Sequence, residues 1–391
     1  MQWLIPYRKV FWIWGLFLIT SFLVGRYIAD HRDELAPNLA FSDSWHVHLC
    51  RVDCYSENRV VREWYHVQNQ FVVKYPLLAG VARIISQQTG LATTLAVFGV
   101  AKLGVLVGLA ELWRWVAAEK DEPTAQRVVG WMAFGYLLTG YVWIVPYPEG
   151  WQLAFTVLTL NFYGRKQYWL TGFFASLLTL TRPQGVLIVP ILALGLLLQG
   201  GLGRQSSQQW RLKFVHILQT CLAPTIAWWL WMLEAQRLTG VAFAPIKLQE
   251  KFARPISWPL PVLIKFVDKW VLGEKFQHSI GIPLLTLQLV LIFAVMIWLT
   301  KLALDKKLAP EWVWLSWLTL WVCLSTTPFS IARFMLISPV AWVAIYLPER
   351  WQAKVRKAEP FLWAIFFDIT VIWTVYIFTD LGIKSWVFYL P

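Results

Sequence analysis

Lysine and arginine in this chain collect in alternate gaps between apolar runs, a pattern that few folds satisfy. The runs lie near 10–29, 91–117, 128–146, 150–163, 168–181, 185–200, 214–236, 282–300, 311–326, 334–347 and 361–379. A helix needs roughly 17 to 25 mainly apolar residues to cross a bilayer. Some of these runs are short or merge, so the sequence predicts an all-α polytopic membrane protein of about eleven transmembrane helices. Composition agrees, since 58% of the 391 residues are hydrophobic and only 15% are charged, outside the range of ordinary soluble domains.

The charges also set an expected orientation. Arg8 and Lys9 precede the first run, which is long and lacks a convincing small-x-small cleavage site before Asp30, so it reads as a retained span with a cytoplasmic N-terminus. The inner gaps then hold Lys120 and Arg127; Arg165 and Lys166; Arg204, Arg211 and Lys213; Lys301, Lys306 and Lys307; and Arg350, Lys354, Arg356 and Lys357. All obey the positive-inside rule. Two long polar segments, 30–88 and 239–281, fall outside the cytoplasm. The formal charge of +13 follows from this topology and gives no reason to expect nucleic acid as a partner. Without Gly/Ser-rich linkers, residues 1–391 read as a single membrane domain. Trp143, Trp151, Trp169, Trp258 and Trp312 stand at span ends, where interfacial anchoring is the ordinary role.

The outer gaps carry the unusual residues. The first holds SDSWHVH at 42–48 and KYPLL at 74–78; after the third span comes VPYPEGW at 145–151, and after the fifth TRPQG at 181–185. The second long loop contains TGVAF at 239–243, Gln249 and SWP at 257–259, and the ninth span is followed by RFMLISP at 333–339. Five separate stretches are thus expected on one membrane face.

In this order the stretches resemble the GT-C glycosyltransferases that use lipid-phosphate sugars. The narrower resemblance is to the glycosylphosphatidylinositol mannosyltransferase 2 family and its bacterial relatives. The resemblance covers nearly the whole chain. It implies a GT-C-type bundle with a large extracytoplasmic first loop, a polyprenyl-phosphate sugar donor, mannose as the sugar, a lipid or glycan acceptor and an inverting displacement. That family usually has Trp directly before the first-loop acid and an aromatic pair after it. Here Ser42 precedes Asp43, and Ser44, Trp45 and His46 follow.

Such a transfer needs a base for the acceptor hydroxyl and cations for the departing phosphate. Asp43 is the expected base, with Asp53, Asp33 and Asp30 as alternatives among acids that a polar loop would ordinarily leave solvated. Arg182 and Arg333 are the expected phosphate ligands, because a guanidinium stays charged and binds two oxygens at once; a snorkelling anchor at a helix end is the competing role. Glu149, Gln184, Gln249, Trp45 and His46 complete the expected substrate-binding set. For Glu149 the structural alternative is a carboxylate that satisfies a helix N-terminus.

Asp43, His46, His48, Cys50, Asp53 and Cys54 invite a metal reading, but their spacing matches no standard zinc pattern, and neither metal nor cofactor is expected. Cys50 and Cys54 are open to either a disulfide or free thiols. Lys102 and Asp368 lie within spans, where each costs roughly 2.5 to 3.5 kcal/mol unless paired or hydrated. A transporter or lipid flippase is the competing class; it would place ionisable residues and broken helices at mid-membrane, often in two matched halves. A cysteine peptidase ranks last, since Cys221 and Cys323 have no evident His partner at the outer face. The expected location is a bacterial inner membrane with the active site outside the cytoplasm.

Overall fold

The computed structural model describes residues 7–35, 37, 42–50, 53–65, 69–134, 140–199, 206–252, 257–266, 268, 281–325, 335 and 349–378. Among the described residues every regular element is helical and no strand occurs, so the fold is all-α. The first polar segment follows α1 (Arg8–Asp30) and contains α2 (Arg32–Leu35), α3 (Trp45–Leu49) and α4 (Asp53–Glu63), then a 3₁₀ turn at Asn69–Val73 and α5 (Pro76–Thr89). Next come α6 (Thr93–Glu119), α7 (Glu122–Phe134), the single turn α8 (Tyr141–Ile144), α9 (Glu149–Gly164) and α10 (Tyr168–Thr179). A 3₁₀ turn at Pro183–Leu187 leads into α11 (Ile188–Leu198), and α12 (Ser207–Thr239) follows. The second polar segment holds α13 (Ala244–Lys247), a 3₁₀ turn at Leu248–Phe252 and α14 (Pro259–Phe266). The chain continues through α15 (Gly281–Leu304), α16 (Pro310–Leu324) and α17 (Glu349–Ile377).

Local chemistry sets these boundaries. Proline at the first helical position opens α5 and α16, where its missing N–H costs nothing. A reciprocal capping box between Ser206 and Gln209 opens α12. Gly90 and Gly240, both at φ 71°, close α5 and α12 in the left-handed conformation that only glycine adopts cheaply.

Two of these helices, α1 with 23 residues and α6 with 27, are long and apolar enough to cross a membrane by length and composition. The expected count of about eleven spans is not matched at that standard: α9 has 16 residues and α10 has 12, short of the roughly 17 a straight crossing needs. The run at 128–146 is divided between α7 and α8, and of the run at 334–347 only Met335 is among the described residues. Large apolar side chains nevertheless face outward, among them Trp12 and Ile19 on α1, Leu230 and Leu233 on α12, and Ile297 on α15. Exposed apolar side chains of this kind mark a membrane or protein contact.

α6 and α9 approach each other closely along their length. A Cβ added to Gly150 would lie 2.3 Å from the Val105 amide nitrogen, and one on Gly108 would lie 2.6 Å from the Gly150 carbonyl oxygen. The two backbones therefore touch, and Trp151 Nε1 donates to the Val100 carbonyl at 2.8 Å across the same contact. This approach sets the height at which α9 begins.

The break between α8 and α9 frees backbone carbonyls that must be satisfied inside the protein. Lys102 of α6 supplies the donors: its buried ammonium donates to the Trp143 carbonyl and, at 2.6 Å, to that of Ile144. Ser21 Oγ of α1 lies 2.6 Å from the same Ile144 oxygen. Lys102 is thus held by backbone rather than by Asp368, whose side chain on α17 is exposed.

Polar groups segregate to the two ends of the helices. At one end Lys120, Lys166 and Lys307 surround a cavity of about 400 Å³ together with Trp115, Tyr163 and Glu311. Toward this same end, Arg127 of α7 pairs with Glu359 of α17 at 2.9 Å, and Trp131 Nε1 donates to the same carboxylate oxygen. At the other end the first polar segment covers the starts of α6 and α9, and Leu77 N donates to the Leu180 carbonyl at 3.1 Å, tying α5 to the end of α10.

Gly150→Ala is expected to cost about 1 to 3 kcal/mol by forcing α6 and α9 apart. Gly99→Ala, where an added Cβ meets nothing within 4 Å, is expected to be neutral or to stabilise by about 0.5 to 1 kcal/mol. Thermal unfolding of the two purified variants beside the wild type checks the contrast; equal melting temperatures would remove the close contact as a determinant.

Candidate active site

Five charged side chains meet, buried, where the first polar segment covers the helix ends. Asp53 and Glu57 stand four residues apart on α4 and so share one face. A disulfide joins Cys50, just after α3, to Cys54 in the first turn of α4, which fixes where that face points. Lys74 enters from the end of the Asn69–Val73 turn and donates to Asp53 Oδ1 at 2.5 Å. Tyr65, buried beyond α4, donates its hydroxyl to the Lys74 carbonyl at 2.9 Å and holds that turn in place.

Glu149 and Arg182 complete the group. Glu149 opens α9 behind Pro148 and is 0% exposed, while Arg182 sits at the extended residue before the Pro183–Leu187 turn. The Arg182 guanidinium donates to Glu149 Oε1 at 2.6 Å. A carboxylate here gains twice, from the guanidinium and from the unpaired amides at the start of α9.

The electrostatics of the group single out Glu57. Burial pushes its carboxyl up from the ordinary 4.5 to about 7; Lys74 and Arg182 pull it back, while Asp53 and Glu149 push it further up. Its Oε2 is buried with no hydrogen-bond partner among the described residues. Burial also lowers Lys74, against the pull of Asp53 and Glu57, and raises the Tyr65 phenol, with Glu57 adding to the rise.

The residues singled out from sequence fall into separate places. Glu149 and Arg182 are brought into direct contact, and Gln184 follows in the next turn with its Oε1 buried and without a hydrogen-bond partner among the described residues. Gln152, one turn along α9 from Glu149, also carries a buried Oε1 with no such partner. Gln249 lies in the Leu248–Phe252 turn, which packs against the Asn69–Val73 turn leading to Lys74, and its Nε2 donates to the Pro245 carbonyl at 3.2 Å. Arg333 lies outside the described residues.

Asp43, Trp45 and His46 precede the Cys50–Cys54 bond in the chain, and each has contacts outside the buried group. Asp43 is exposed, with its carboxylate paired to Arg32. His48 Nε2 donates to the Ser42 carbonyl at 2.9 Å and steadies the approach to Asp43. Trp45 packs edge-on against Phe98 and Phe22, and a Cβ on Gly25 of α1 would lie 2.6 Å from the Trp45 carbonyl, so α3 rests directly on α1. His46 Nδ1 lies 2.8 Å from Thr94 Oγ1 at the start of α6, and partial burial lowers its pKa. The disulfide removes both thiolates from the metal reading, and among the described residues no group of three or more His, Cys, Asp or Glu side chains is placed to hold a metal ion.

Two members of the buried group, Glu57 and Lys74, are not among the sequence candidates, and Asp53 is there only as an alternative base. The signal for them is present in the chain: two acids at helical spacing in the first loop, and a lysine in KYPLL that enters the sequence reading only as part of a resemblance.

No family model matches the chain, and no curated protein matches it. Among solved structures it is similar to the oligosaccharyltransferase of Archaeoglobus fulgidus. The apo form shows 12% identity and a TM-score of 0.45 over 97% of this chain and 56% of that one. The complex with zinc and sulfate shows 14% identity and a TM-score of 0.41 over 84% and 48%. The chain spans about half the length of these structures. A likeness of this size carries no information about what the chain does.

Because the folded Glu57 carboxyl keeps its proton between about 4.5 and about 7 and the unfolded one does not, its contribution to stability is complete below that window and lost as pH rises through it. Glu57→Gln is expected to flatten this part of the stability profile. Melting temperatures of both proteins across the window test it, and parallel profiles would count against a proton on Glu57.

Proposed function

We propose that this protein is a polytopic membrane glycosyltransferase of the GT-C type. It would take a sugar, mannose by the family resemblance, from a polyprenyl-phosphate donor and transfer it with inversion to a lipid or glycan acceptor outside the cytoplasm. Residues 1–391 then form one membrane domain with 30–88 and 239–281 on the outer face, in a bacterial inner membrane. The observation that carries this reading is the buried contact between Arg182 and Glu149 beside Lys74, Asp53 and Glu57, at the helix ends opposite Lys120, Lys166 and Lys307.

Several features support the orientation. Three of the basic gaps, through Lys120, Lys166 and Lys307, meet around one cavity, as a cytoplasmic end requires under the positive-inside rule. The Cys50–Cys54 disulfide belongs to an oxidising compartment, which suits the opposite end. The outward apolar side chains suit a lipid surrounding.

In this reading Arg182, with Arg333, receives the donor phosphate by charge-assisted hydrogen bonds. Glu149 holds the Arg182 guanidinium in position, and the amide oxygens of Gln184 and Gln249 accept from sugar hydroxyls. Trp45 and His46 line the approach to Asp43, which takes the acceptor proton. The acceptor oxygen then attacks the anomeric carbon from the face opposite the phosphate. Against the transporter or flippase reading stands Lys102: it is occupied by the carbonyls of Trp143 and Ile144, a structural duty at a helix break, instead of lining a path.

Purified protein is expected to move radiolabel from a polyprenyl-phosphate sugar to membrane lipids or glycans. Asp43→Asn is expected to lower the rate about 10² to 10⁴-fold with folding unchanged. Arg182→Gln is expected to weaken donor use, since a phosphate ligand and the partner of Glu149 are lost together. Transfer that survives Asp43→Asn would move the base elsewhere, and no transfer from polyprenyl-phosphate mannose, glucose or any other polyprenyl-phosphate sugar tried would overturn the glycosyltransferase reading.

A further inference from the structure

Two cavities of the molecule adjoin along one seam. The first is the cavity of about 400 Å³ at the basic end, to which three turns each bring a lysine: Lys120 after α6, Lys166 after α9 and Lys307 before α16. The second is an apolar groove of about 330 Å³ between α11 and α16, walled by Pro190, Ile191 and Leu194 on one side and by Trp314, Trp317 and Trp321 on the other.

The seam runs from one to the other. α11 leads toward the basic end, α16 leads back from it, and the two helices pack together. Glu311, Trp314, Leu318 and Trp321 follow at spacings of three and four, on one face of α16. The stripe that walls the groove therefore begins at a residue that lines the cavity. Across the seam a Cβ on Gly195 would lie 2.9 Å from Glu311 Oε1, and Gln199, one turn further along α11, lines the cavity as well. Trp317 Nε1 donates to Thr300 Oγ1 at 2.9 Å, which fixes its indole as a wall. Leu194 and Trp321 are exposed, so among the described residues the groove is open along one side.

The backbone adds a second sign. α9 and α15 close alike: the amides of Gln167 and Lys166 donate to the carbonyls of Phe162 and Tyr163, and those of Lys307 and Lys306 to the carbonyls of Leu302 and Ala303, each at 2.9 Å. Such a pair of hydrogen bonds puts one residue in the left-handed conformation, here Lys166 at φ 59° and Lys306 at φ 57°. Glycine adopts it without steric cost, so lysine at 166 gives up backbone ease for a charge beside the cavity. Two acids share that cavity. Glu311 accepts from the Tyr163 hydroxyl at 3.5 Å, and Glu119 stands exposed at the end of α6. Three lysines against these two acids leave the positive sign in excess.

We propose that cavity and groove together bind one anionic phospholipid of the cytoplasmic leaflet, its phosphate among Lys120, Lys166 and Lys307 and one acyl chain along Trp314, Trp317 and Trp321. Basic pockets between helices at the cytoplasmic side suit anionic headgroups. A free phosphate would use the lysines and leave the apolar groove uncovered, whereas a lipid fills both. The proposal goes beyond sugar transfer and shares with that reading only the orientation that puts these lysines in the cytoplasm. Occupancy joins α11 to α16, and binding to the folded state alone stabilises it by mass action.

The test uses the full chain in detergent with phosphatidylglycerol, with phosphatidylcholine of the same acyl chains, or with glycerol phosphate. Native mass spectrometry reads bound lipid, and thermal unfolding reads stability. Wild type is expected to bind one phosphatidylglycerol about tenfold or more tightly than phosphatidylcholine, to melt higher with it, and to show neither effect with glycerol phosphate. Lys166→Gly combined with Lys307→Gln is expected to fold, since glycine eases the backbone at 166, and to bind the two lipids equally. Leu194→Trp, which fills the groove and keeps every charge, is expected to weaken phosphatidylglycerol binding about tenfold.

Equal binding of the two lipids by wild type, or a preference that survives in the double variant, overturns the proposal. Unchanged binding by Leu194→Trp overturns the place given to the acyl chain. Protection by glycerol phosphate alone assigns the cavity to a free anion, and displacement of phosphatidylglycerol by an equal amount of polyprenyl phosphate assigns the groove to the donor lipid; either result overturns the proposal. Should neither variant fold, the wild-type comparison of the two lipids decides alone. Loss of the lipid preference leaves the glycosyltransferase reading standing, and absence of sugar transfer leaves the lipid site standing.

Discussion

The buried ion pair between Arg182 and Glu149 is the interaction on which the rest of the candidate site depends. It joins the start of α9 to the turn after α10, two points far apart along the chain, and does so where neither group is open to water. Removing one partner would leave the other charged and enclosed, a cost of several kcal/mol, so the pair acts as a constraint on both helices as well as an attraction. The Lys74–Asp53 pair extends the same constraint to the first polar segment. Glu57, one turn along α4 from Asp53, is buried within the fields of both pairs, and burial raises its carboxyl.

That cluster could not form unless α9 began at the right height. Glycines at 104, 108 and 150 let α6 and α9 touch backbone to backbone, and Lys102 satisfies the carbonyls freed where α8 ends. The stretch from Ile144 to Glu149 is therefore held at its start by α6 and α1 and at its end by Arg182. A lysine within an apolar run would read from hydropathy alone as a defect or a conduit. In the fold it is a donor to the break that aims Glu149.

Sequence reading goes furthest with features that are local or that repeat. The helical character of each described apolar run follows from its length and apolar content, and the grouping of Lys120, Lys166 and Lys307 at one end follows from their alternation. Glu149 and Arg182 stand out because charged residues beside proline are rare at the ends of apolar runs, and the fold brings them together. Glu57 and Lys74 do not stand out, because a first loop rich in charge gives no sign of which of its residues will be enclosed. Asp43 shows the converse: conspicuous in its motif, it stands exposed beside Arg32.

An all-helical chain with outward apolar faces and charge divided between its two ends is legible in the residues alone, because helix formation and charge sorting depend on residue type and short-range spacing. Which acids lose their water depends on how the helices pack. Burial of Glu57 needs α4 turned inward by the Cys50–Cys54 bond, α9 set in place against α6, and Arg182 delivered from the end of α10. The desolvation that shifts its proton is a property of all these neighbours at once, and no stretch of the chain carries it alone.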